Sequence, residues 1–437
     1  METKINFTQM IRRWWSLFVV VFVWLAFGLL NMLAGSGEAA DCILKKFRRS
    51  GDFDSFYAGA LCARHQRWDC LFWEIAYTDE QPDRFWPASY DPWLIEQLVK
   101  NQVPGINRTL RLYQTPYVYP PQTALLLVPL SWFSFDTARR IWIALNGLAL
   151  LVFLCMLGRE SDDFGIPPIT KNLTLLVVGF SFPVQIDYQW QNVSLFSAIA
   201  VLALFRGLRL GKDWETLAGL LFLGITKGTS IVWIPLLVIW KKWRLIRLIV
   251  GCGLVLLFLP SLAGCAFSVN FVFLKMAGLI SLYLPSLENP FYLALELRPE
   301  SAHSLMTFLW ILGCLWIYLK NSQYPLDQND CRSVLQMGSS LFLSLLILQA
   351  CLPICWIHYR LLLFAFLPFC MAFVKIKRDL SILFWTGFFL FAMTCNTMDD
   401  ALFCIPMGKG ASWLAYVLWT SLAISMFKRA ISQRHDT

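Results

Sequence analysis

The sequence predicts an all-α integral membrane protein: a multi-spanning helical bundle in which a long loop follows the first span. Hydrophobic residues make up 57% of the 437 residues and charged residues only 15%, whereas soluble globular proteins carry about 25% charged residues. The apolar residues fall into runs long enough to enter a bilayer. Short clusters of lysine and arginine separate these runs, as in the cytoplasmic loops of membrane proteins. We therefore expect a single polytopic membrane domain over residues 1–437.

The first apolar run, 14–33, can cross a hydrocarbon core of about 30 Å. Arg12 and Arg13 precede it, and positive flanks stay in the cytoplasm, so the N-terminus is expected there. The run has no clear small-residue cleavage site and is interpreted as a retained anchor. Residues 35–118 then form an extracytoplasmic loop. The basic residues at 45–49 do not oppose this, because long loops translocate largely regardless of charge.

Further apolar runs follow the loop, at 121–133, 140–158, 172–186, 191–205, 214–226, 229–240, 245–264, 304–319, 333–352, 359–374, 380–396 and 411–427. If the basic clusters between them face the cytoplasm, one run cannot be a full crossing. Run 121–133 is the candidate, because a helix of that length reaches only about 20 Å. We therefore expect about twelve crossings of the cell (inner) membrane, with both termini cytoplasmic. Run 121–133 is expected to be a re-entrant segment or a short broken helix.

The formal charge of +9 does not indicate nucleic-acid binding, because the basic residues lie between membrane runs. Membrane lipid is the expected surrounding. The thirteen cysteines are scattered, without a histidine–cysteine cluster, so neither a metal site nor a cofactor is predicted. Cys62 and Cys70 share the first loop. They either pair in an oxidising compartment or serve as small apolar residues.

The first loop contains two carboxylates beside aromatic residues, Asp52 and Asp54. Acids at this position either cap a helix or act as a catalytic base. Asp54 with Ser55 suits a helix N-cap, where first-turn N–H groups lack partners. The helix that follows is expected to run to about Arg67 and to lie along the outer membrane surface.

Lys227 lies between two short apolar arms, 214–226 and 229–240. Because basic residues at both outer ends indicate the cytoplasmic side, arms this short cannot reach the far surface. Lys227 is therefore expected at depth in the membrane. An ammonium there faces a polar cavity or an anionic partner, or else extends to the interface.

Several polar residues fall at outer ends of the predicted helices. These are Asp187, Gln191 and Asn192 in one turn, His303 in the loop 265–303, and Trp356, His358 and Arg360 where the run 359–374 opens. A lone histidine at such a position can equally be a satisfied structural residue. Together with Asp52 and Lys227, the set predicts a cavity open to the outside.

Several segments, in chain order, resemble glycosyltransferase family 87 of the GT-C superfamily, which includes polyprenyl-phosphate-mannose-dependent mannosyltransferases. The segments are Asp52-Phe53 with Phe56-Tyr57-Ala58, Tyr117-Val118-Tyr119-Pro120-Pro121 with the apolar 125–130, Ala138 with Trp142 and Asn146, Gln191-Asn192, 218–227 with 241–244, and 352–359. Trp190 stands where the family usually has glycine, and Gly228 where proline often follows the lysine.

The resemblance implies a membrane glycosyltransferase. It implies that the enzyme moves a sugar, with mannose as the expected sugar, from a polyprenyl phosphate to a hydroxyl of a glycan or glycolipid on the extracytoplasmic face. It implies inversion, with Asp52 as the general base. For substrate binding it implies Lys227, Arg360 and His358 at the phosphate, Gln191 and Asn192 at sugar hydroxyls, Tyr119 and Trp356 as aromatic faces, and Asp54 and His303 in the same cavity.

A transporter or flippase of a lipid-linked sugar is the alternative from another class. It would also explain many spans, a buried lysine and polar groups on the outer side. Transporters often contain internal repeats or paired broken spans, and no convincing repeat is present in this sequence. The long first loop with its acid–aromatic motif therefore favours the enzyme. A ligase or polymerase of polysaccharide would share the chemistry and differ in its acceptor.

Overall fold

The computed structural model describes residues 14–24, 52–71, 92–101, 117, 119–226, 229–271, 273–274, 299–323, 331–351, 359–395, 405–406 and 408–432. Within these ranges the chain is almost entirely helical, which confirms the all-α part of the predicted fold class. Two short strands, Thr394–Cys395 (β1) and Ile405–Pro406 (β2), pair in parallel.

The helices up to the middle of the chain are α1 Trp14–Trp24, α2 Asp52–Arg64, α3 Pro92–Lys100, α4 Pro121–Leu127, α5 Phe135–Asp163, α6 Pro168–Gly179, α7 Phe182–Trp190 and α8 Ser194–Leu210. The remaining described helices are α9 Asp213–Thr226, α10 Ile234–Ile239, α11 Trp243–Leu262, α12 Pro299–Gln323, α13 Cys331–Cys351, α14 Arg360–Phe364, α15 Leu367–Ile376, α16 Ser381–Met393 and α17 Gly408–Ser432. Short 3₁₀ turns lie at Trp68–Cys70, Val128–Trp132, Thr229–Val232 and Arg378–Leu380.

Among the described residues, four helical segments are long and apolar enough to cross a membrane, in α5, α11, α13 and α17. The pair α6 and α7, bent by 41° at its break, makes a fifth if it counts as one span. These helices support a membrane protein. They do not by themselves confirm about twelve crossings, because several predicted runs form shorter pieces.

Proline explains two of these shorter pieces. Run 121–133 forms α4 and then the 3₁₀ turn Val128–Trp132, with Pro129 at the junction, which agrees with the predicted short broken helix. Run 359–374 is divided between α14 and α15, and Pro368 lies in the first turn of α15. Proline lacks the N–H that would continue the preceding helix, so it suits such first turns, where that N–H has no helical partner.

The two arms around Lys227 are both helical. The first is α9, and the second consists of the turn Thr229–Val232 followed by α10. Lys227 and Gly228 lie outside the described residues, so the predicted depth of Lys227 stays a prediction.

Two apolar cores hold the described helices together. The larger core contains residues of α5, α6, α7 and α8 together with residues of the C-terminal helices. Among the C-terminal helices, α13 and α16 both pack on α17. The smaller core surrounds α2, which packs on α4 and α5 and is filled by Phe53, Phe56 and Trp142.

Charged residues are buried at the C-terminal end of α5. Glu160 is buried. Its Oε1 lies 3.1 Å from Nε of Arg206 in an ion pair, and its Oε2 accepts from Nη2 of Arg209 at 2.8 Å. Lys171 of α6 is also buried, 2.8 Å from Asp162. Since a buried charge needs a partner, these pairs join the ends of α5, α6 and α8. Glu160 lies about 27 Å along α5 from Trp142 in the smaller core.

Candidate active site

The helix α2 begins at Asp52, two residues before the predicted cap. Asp52 and Asp54 both lie in its first turn and both are buried. Asp54 therefore does not start the helix, which corrects that prediction. Carboxylates suit this position because the N-terminus of a helix carries a partial positive charge.

The helix α2 is buried on every side, from Asp52 to Ala63, and does not lie with one face on the membrane surface as predicted. A helix that is apolar around its whole circumference packs inside the protein. Its small and aromatic residues make this possible, since the only side-chain oxygens before Arg64 are those of Asp52, Asp54, Ser55 and Tyr57.

Aromatic contacts fix the position of α2. The ring of Phe53 lies 5.6 Å from that of Phe135 and 6.1 Å from that of Trp142. The hydroxyl of Tyr57 donates to the carbonyl of Phe133 at 2.7 Å, and burial raises the pKa of Tyr57 to about 12. These contacts hold the first turn of α2 against the start of α5.

Asn192 connects Asp52 to Tyr119. Its Nδ2 donates to Oδ2 of Asp52 and, at 3.2 Å, to the hydroxyl of Tyr119. Its Oδ1 accepts from the backbone N–H of Val193 at 2.7 Å and from the hydroxyl of Ser194 at 3.1 Å. Because the oxygen is held by its own turn, the N–H₂ group is directed at Asp52.

The turn that carries Asn192 is itself constrained. Gln191 ends α7 with φ 54°, in the left-handed region, and its carbonyl accepts from Trp142 Nε1 at 2.7 Å. The carboxylate of Asp187 accepts from the backbone N–H groups of Ser194 at 3.1 Å and Leu195 at 3.2 Å. Asp187 thus satisfies donors at the start of α8, where helical partners are missing. Its role is structural within this turn.

Tyr119 is a neutral phenol in this site. Burial raises its pKa well above the usual value, and the negative charge of Asp52 adds to that effect. Tyr359 and Asp187 contribute further in the same direction. Tyr359, directly before α14, is therefore close enough to Tyr119 to interact with it electrostatically.

Arg139 was not predicted from the sequence. With the amide of Gln191 oriented so that its oxygen faces Arg139, this oxygen accepts from Nε at 3.0 Å and from Nη2 at 3.1 Å. Arg139 lies three residues before Trp142, and residues at that spacing share one face of a helix. Trp142 belongs to one of the segments that resemble the family. The spacing of three residues was therefore a signal from which Arg139 could have been predicted.

Arg360 is buried at the start of α14, which packs on α8. Its guanidinium lies 5.5 Å from the centre of the Phe391 ring in α16. Such a contact between a cation and an aromatic face stabilises a desolvated arginine. The predicted contact of Arg360 with phosphate stays a prediction.

The structure therefore brings together Asp52, Tyr119, Gln191 and Asn192 of the predicted set, with Asp54 in the same helical turn. Three others lie outside the described residues: Lys227, Trp356 and His358. His303 lies in α12, but its side chain is not among those described. That these four residues share a cavity with Asp52 stays a prediction.

Cys62 and Cys70 are both buried thiols, and no disulfide joins them in the described part of the chain. Both belong to the smaller core. Of the two interpretations left open by the sequence, this structure favours small apolar residues.

The described site places a buried carboxylate, an amide and a phenol together near the start of α5, a helix long and apolar enough to cross a membrane. The chain belongs to glycosyltransferase family 87, whose sequence model matches residues 117–374. The family indicates a glycosyltransferase in a membrane, with a sugar donor and an acceptor as substrates. The matched range includes Tyr119, Gln191, Asn192 and Arg360 but begins after Asp52. No curated protein and no solved structure matches the chain.

Proposed function

We propose that this glycosyltransferase moves a sugar, with mannose as the expected sugar, from a polyprenyl-phosphate donor to a hydroxyl of a glycan or glycolipid on the extracytoplasmic face. The observation that carries the proposal is the Asp52 carboxylate, held by Asn192 beside Tyr119. Direct displacement at a sugar carbon requires one group that takes the acceptor's proton, and a positioned carboxylate is suited to this.

In the proposed step the acceptor oxygen attacks the anomeric carbon from the side opposite the phosphate. The new carbon–oxygen bond forms as the bond to the phosphate oxygen breaks, and polyprenyl phosphate leaves with that electron pair. Asp52 accepts the proton of the hydroxyl. Attack from the opposite side inverts the configuration of the sugar.

The neighbours of Asp52 support this role. Asn192 donates to one oxygen of the carboxylate, which orients the group. Tyr119 stays protonated and offers both a hydroxyl and an aromatic face to the sugar. Gln191 and Asn192 are proposed to bind sugar hydroxyls, with Asp54 in the same cavity.

The phosphate end of the proposed site consists of Lys227, Arg360 and His358, with Trp356 and His303 beside them. Fixed cations stabilise the charge that develops on a leaving phosphate. The closeness of Tyr359 to Tyr119 supports this grouping, because Tyr359 directly follows His358.

The proposed membrane placement has about twelve crossings, cytoplasmic termini and the site outside, in the cell (inner) membrane. Two observations support it. Trp142 and Asp52 lie near the start of α5, whereas the cluster around Glu160 lies near its end. The arginines of that cluster, Arg206 and Arg209, belong to the basic cluster after the apolar run 191–205, which the sequence predicts on the cytoplasmic side.

The decisive experiment incubates purified full-length protein in lipid nanodiscs with several polyprenyl-phosphate sugars and follows donor consumption and product. Replacement Asp52→Asn removes the base, so kcat is expected to fall by about 10²–10⁴-fold with little change in donor KM. The control is Asp69→Asn, at an exposed carboxylate 2.9 Å from Arg67, and it should retain activity.

Near-normal sugar transfer by the Asp52→Asn variant would contradict the proposal that Asp52 is the general base. If the wild-type protein consumes no donor but moves a lipid-linked sugar across vesicle membranes, the alternative transporter is correct.

A further inference from the structure

A cavity of about 320 Å³ lies between α9, α11 and the start of α4. Most of its wall consists of leucine and isoleucine side chains, and it is partly open to the surroundings. Its polar lining side chains include Gln122, Ser230 and Asn270. Small-molecule sites of this kind begin at about 300 Å³, so the cavity suits a short length of one hydrocarbon chain.

The polar edge of the cavity is continuous with the candidate active site. Gln122 Nε2 donates to Asn270 Oδ1 at 3.1 Å, and Gln122 follows Tyr119 by three residues. The hydroxyl of Thr123 donates to the carbonyl of Ile225, a residue of the cavity wall. The segment 119–123 therefore contacts Asn192 at one end and borders the cavity at the other.

The opposite wall belongs to a helix that faces the bilayer. Only 11% of the apolar window of α11 is buried inside the protein, and its outward residues, such as Val255 and Leu262, are exposed and apolar. A spanning helix with such a face contacts lipid chains. A chain can therefore enter the cavity from the membrane and reach the site at its polar edge.

We infer that this cavity binds the hydrocarbon chain of the lipid-linked donor next to its phosphate, and that Gly253 leaves the room for that chain. The inference rests on the proposed function, and it adds the place where the donor's lipid is held. Ile225 and Ser230, which flank Lys227 in the sequence, both line the cavity. The described residues on both sides of Lys227 in the sequence therefore border the cavity.

Two glycines of α11 provide a matched test. A Cβ atom built at Gly253 meets nothing within 4 Å, and Gly253 lines the cavity. A Cβ atom built at Gly251 also meets nothing within 4 Å, but Gly251 is exposed and does not line the cavity. Both positions therefore have room for the first atom of a side chain, and of the two only Gly253 borders the cavity, so only Gly253→Phe is expected to place a ring there.

The first measurement is donor kinetics with a long-chain polyprenyl-phosphate mannose in nanodiscs. Gly253→Phe is expected to raise donor KM by about tenfold or more, with a smaller change in kcat. Gly251→Phe should leave both within about twofold, as exposed substitutions do. Equal KM values for the two variants would overturn the inference.

The second measurement needs no turnover. A prenyl phosphate with a diazirine on its second isoprene unit is crosslinked to the full-length protein, and labelled peptides are identified by mass spectrometry. Residues 249–257 should be labelled in the wild type and in Gly251→Phe, with clear loss in Gly253→Phe. Unlabelled polyprenyl phosphate should displace the label, and a phospholipid with a diazirine in its acyl chain should label the cavity weakly.

The outcomes separate the two proposals. A protein that is labelled in the cavity but transfers no sugar contradicts the proposed function and keeps the inference. A protein that transfers sugar, but whose labelling is the same in Gly253→Phe, contradicts the inference alone. Phospholipid labelling in the cavity that polyprenyl phosphate does not displace also overturns it.

Discussion

At the scale of single residues, the proposed base is controlled by an amide on a distant turn. Asn192 lies 140 residues from Asp52 and yet donates to its carboxylate. A hydrogen bond to a charged group is worth about 1.5–3 kcal/mol. The amide also fixes the orientation of the carboxylate that is proposed to act as the base.

Replacement Asn192→Ala is therefore expected to lower kcat by about 10-fold to 100-fold, which corresponds to that hydrogen bond. The amide orients the carboxylate, so its loss should lower turnover without unfolding the site. The measurement is kcat in nanodiscs together with the thermal unfolding midpoint of the variant.

The control for this variant is Asn172→Ala. Asn172 is buried in α6, where it accepts from Ser16 and donates to the carbonyl of Pro168. Its loss should lower stability and leave kcat within about twofold. An equal fall of kcat in both variants would show that the effect of Asn192 is only structural.

At the scale of elements, the sequence was informative about Asp52 and Asn192 but not about the environment of α2. The acid–aromatic motif marked Asp52 as a candidate base. It did not show that α3, α4 and α5 all pack on α2, because their residues lie up to about a hundred positions away. The helix start was also missed, since Asp52 and Asp54 are equally suited to a first turn.

One close approach makes the packing of α2 testable. A Cβ atom built at Gly59 would lie 2.6 Å from Cε2 of Tyr117, a fully buried ring. Gly59→Ala is therefore expected to destabilise the protein by about 1–3 kcal/mol, as other overpacked cores do. It should also lower kcat, because the first turn of α2 carries Asp52.

The matched control is Gly147→Ala in α5, where a built Cβ atom meets nothing within 4 Å. That change should stabilise by about 0.5–1 kcal/mol, the usual gain of alanine over glycine in a helix. Thermal unfolding in detergent measures both. A Gly59→Ala protein as stable as Gly147→Ala would contradict the described packing.

At the scale of the whole molecule, the two ends of α5 differ in chemistry. The start of α5 packs against the smaller core and the candidate site, whereas its end carries Glu160 with Arg206 and Arg209. The basic end is expected in the cytoplasm. A helix of this length separates the two ends by more than a hydrocarbon thickness of about 30 Å.

This polarity predicts the sides on which two exposed residues lie. In right-side-out membranes, a membrane-impermeant maleimide should label His65→Cys directly and Arg244→Cys only after permeabilisation. Both positions are exposed. The cysteines whose side chains are described are buried or half-buried. Labelling of the parent protein, which contains only its native cysteines, measures the background signal. Labelling of both variants from the same side would contradict the proposed topology.

The sequence by itself determined the helical membrane class and the family, and it identified Asp52, Tyr119, Gln191 and Asn192 as candidates. Those properties depend on local composition and on short motifs. Only the tertiary structure decided that Asn192 bonds to Asp52, that Arg139 bonds to Gln191, and that a cavity joins the segment 119–123. Contacts between distant segments follow from how bulky side chains fit together. The apolar pattern of a single run does not specify which other segment packs against it.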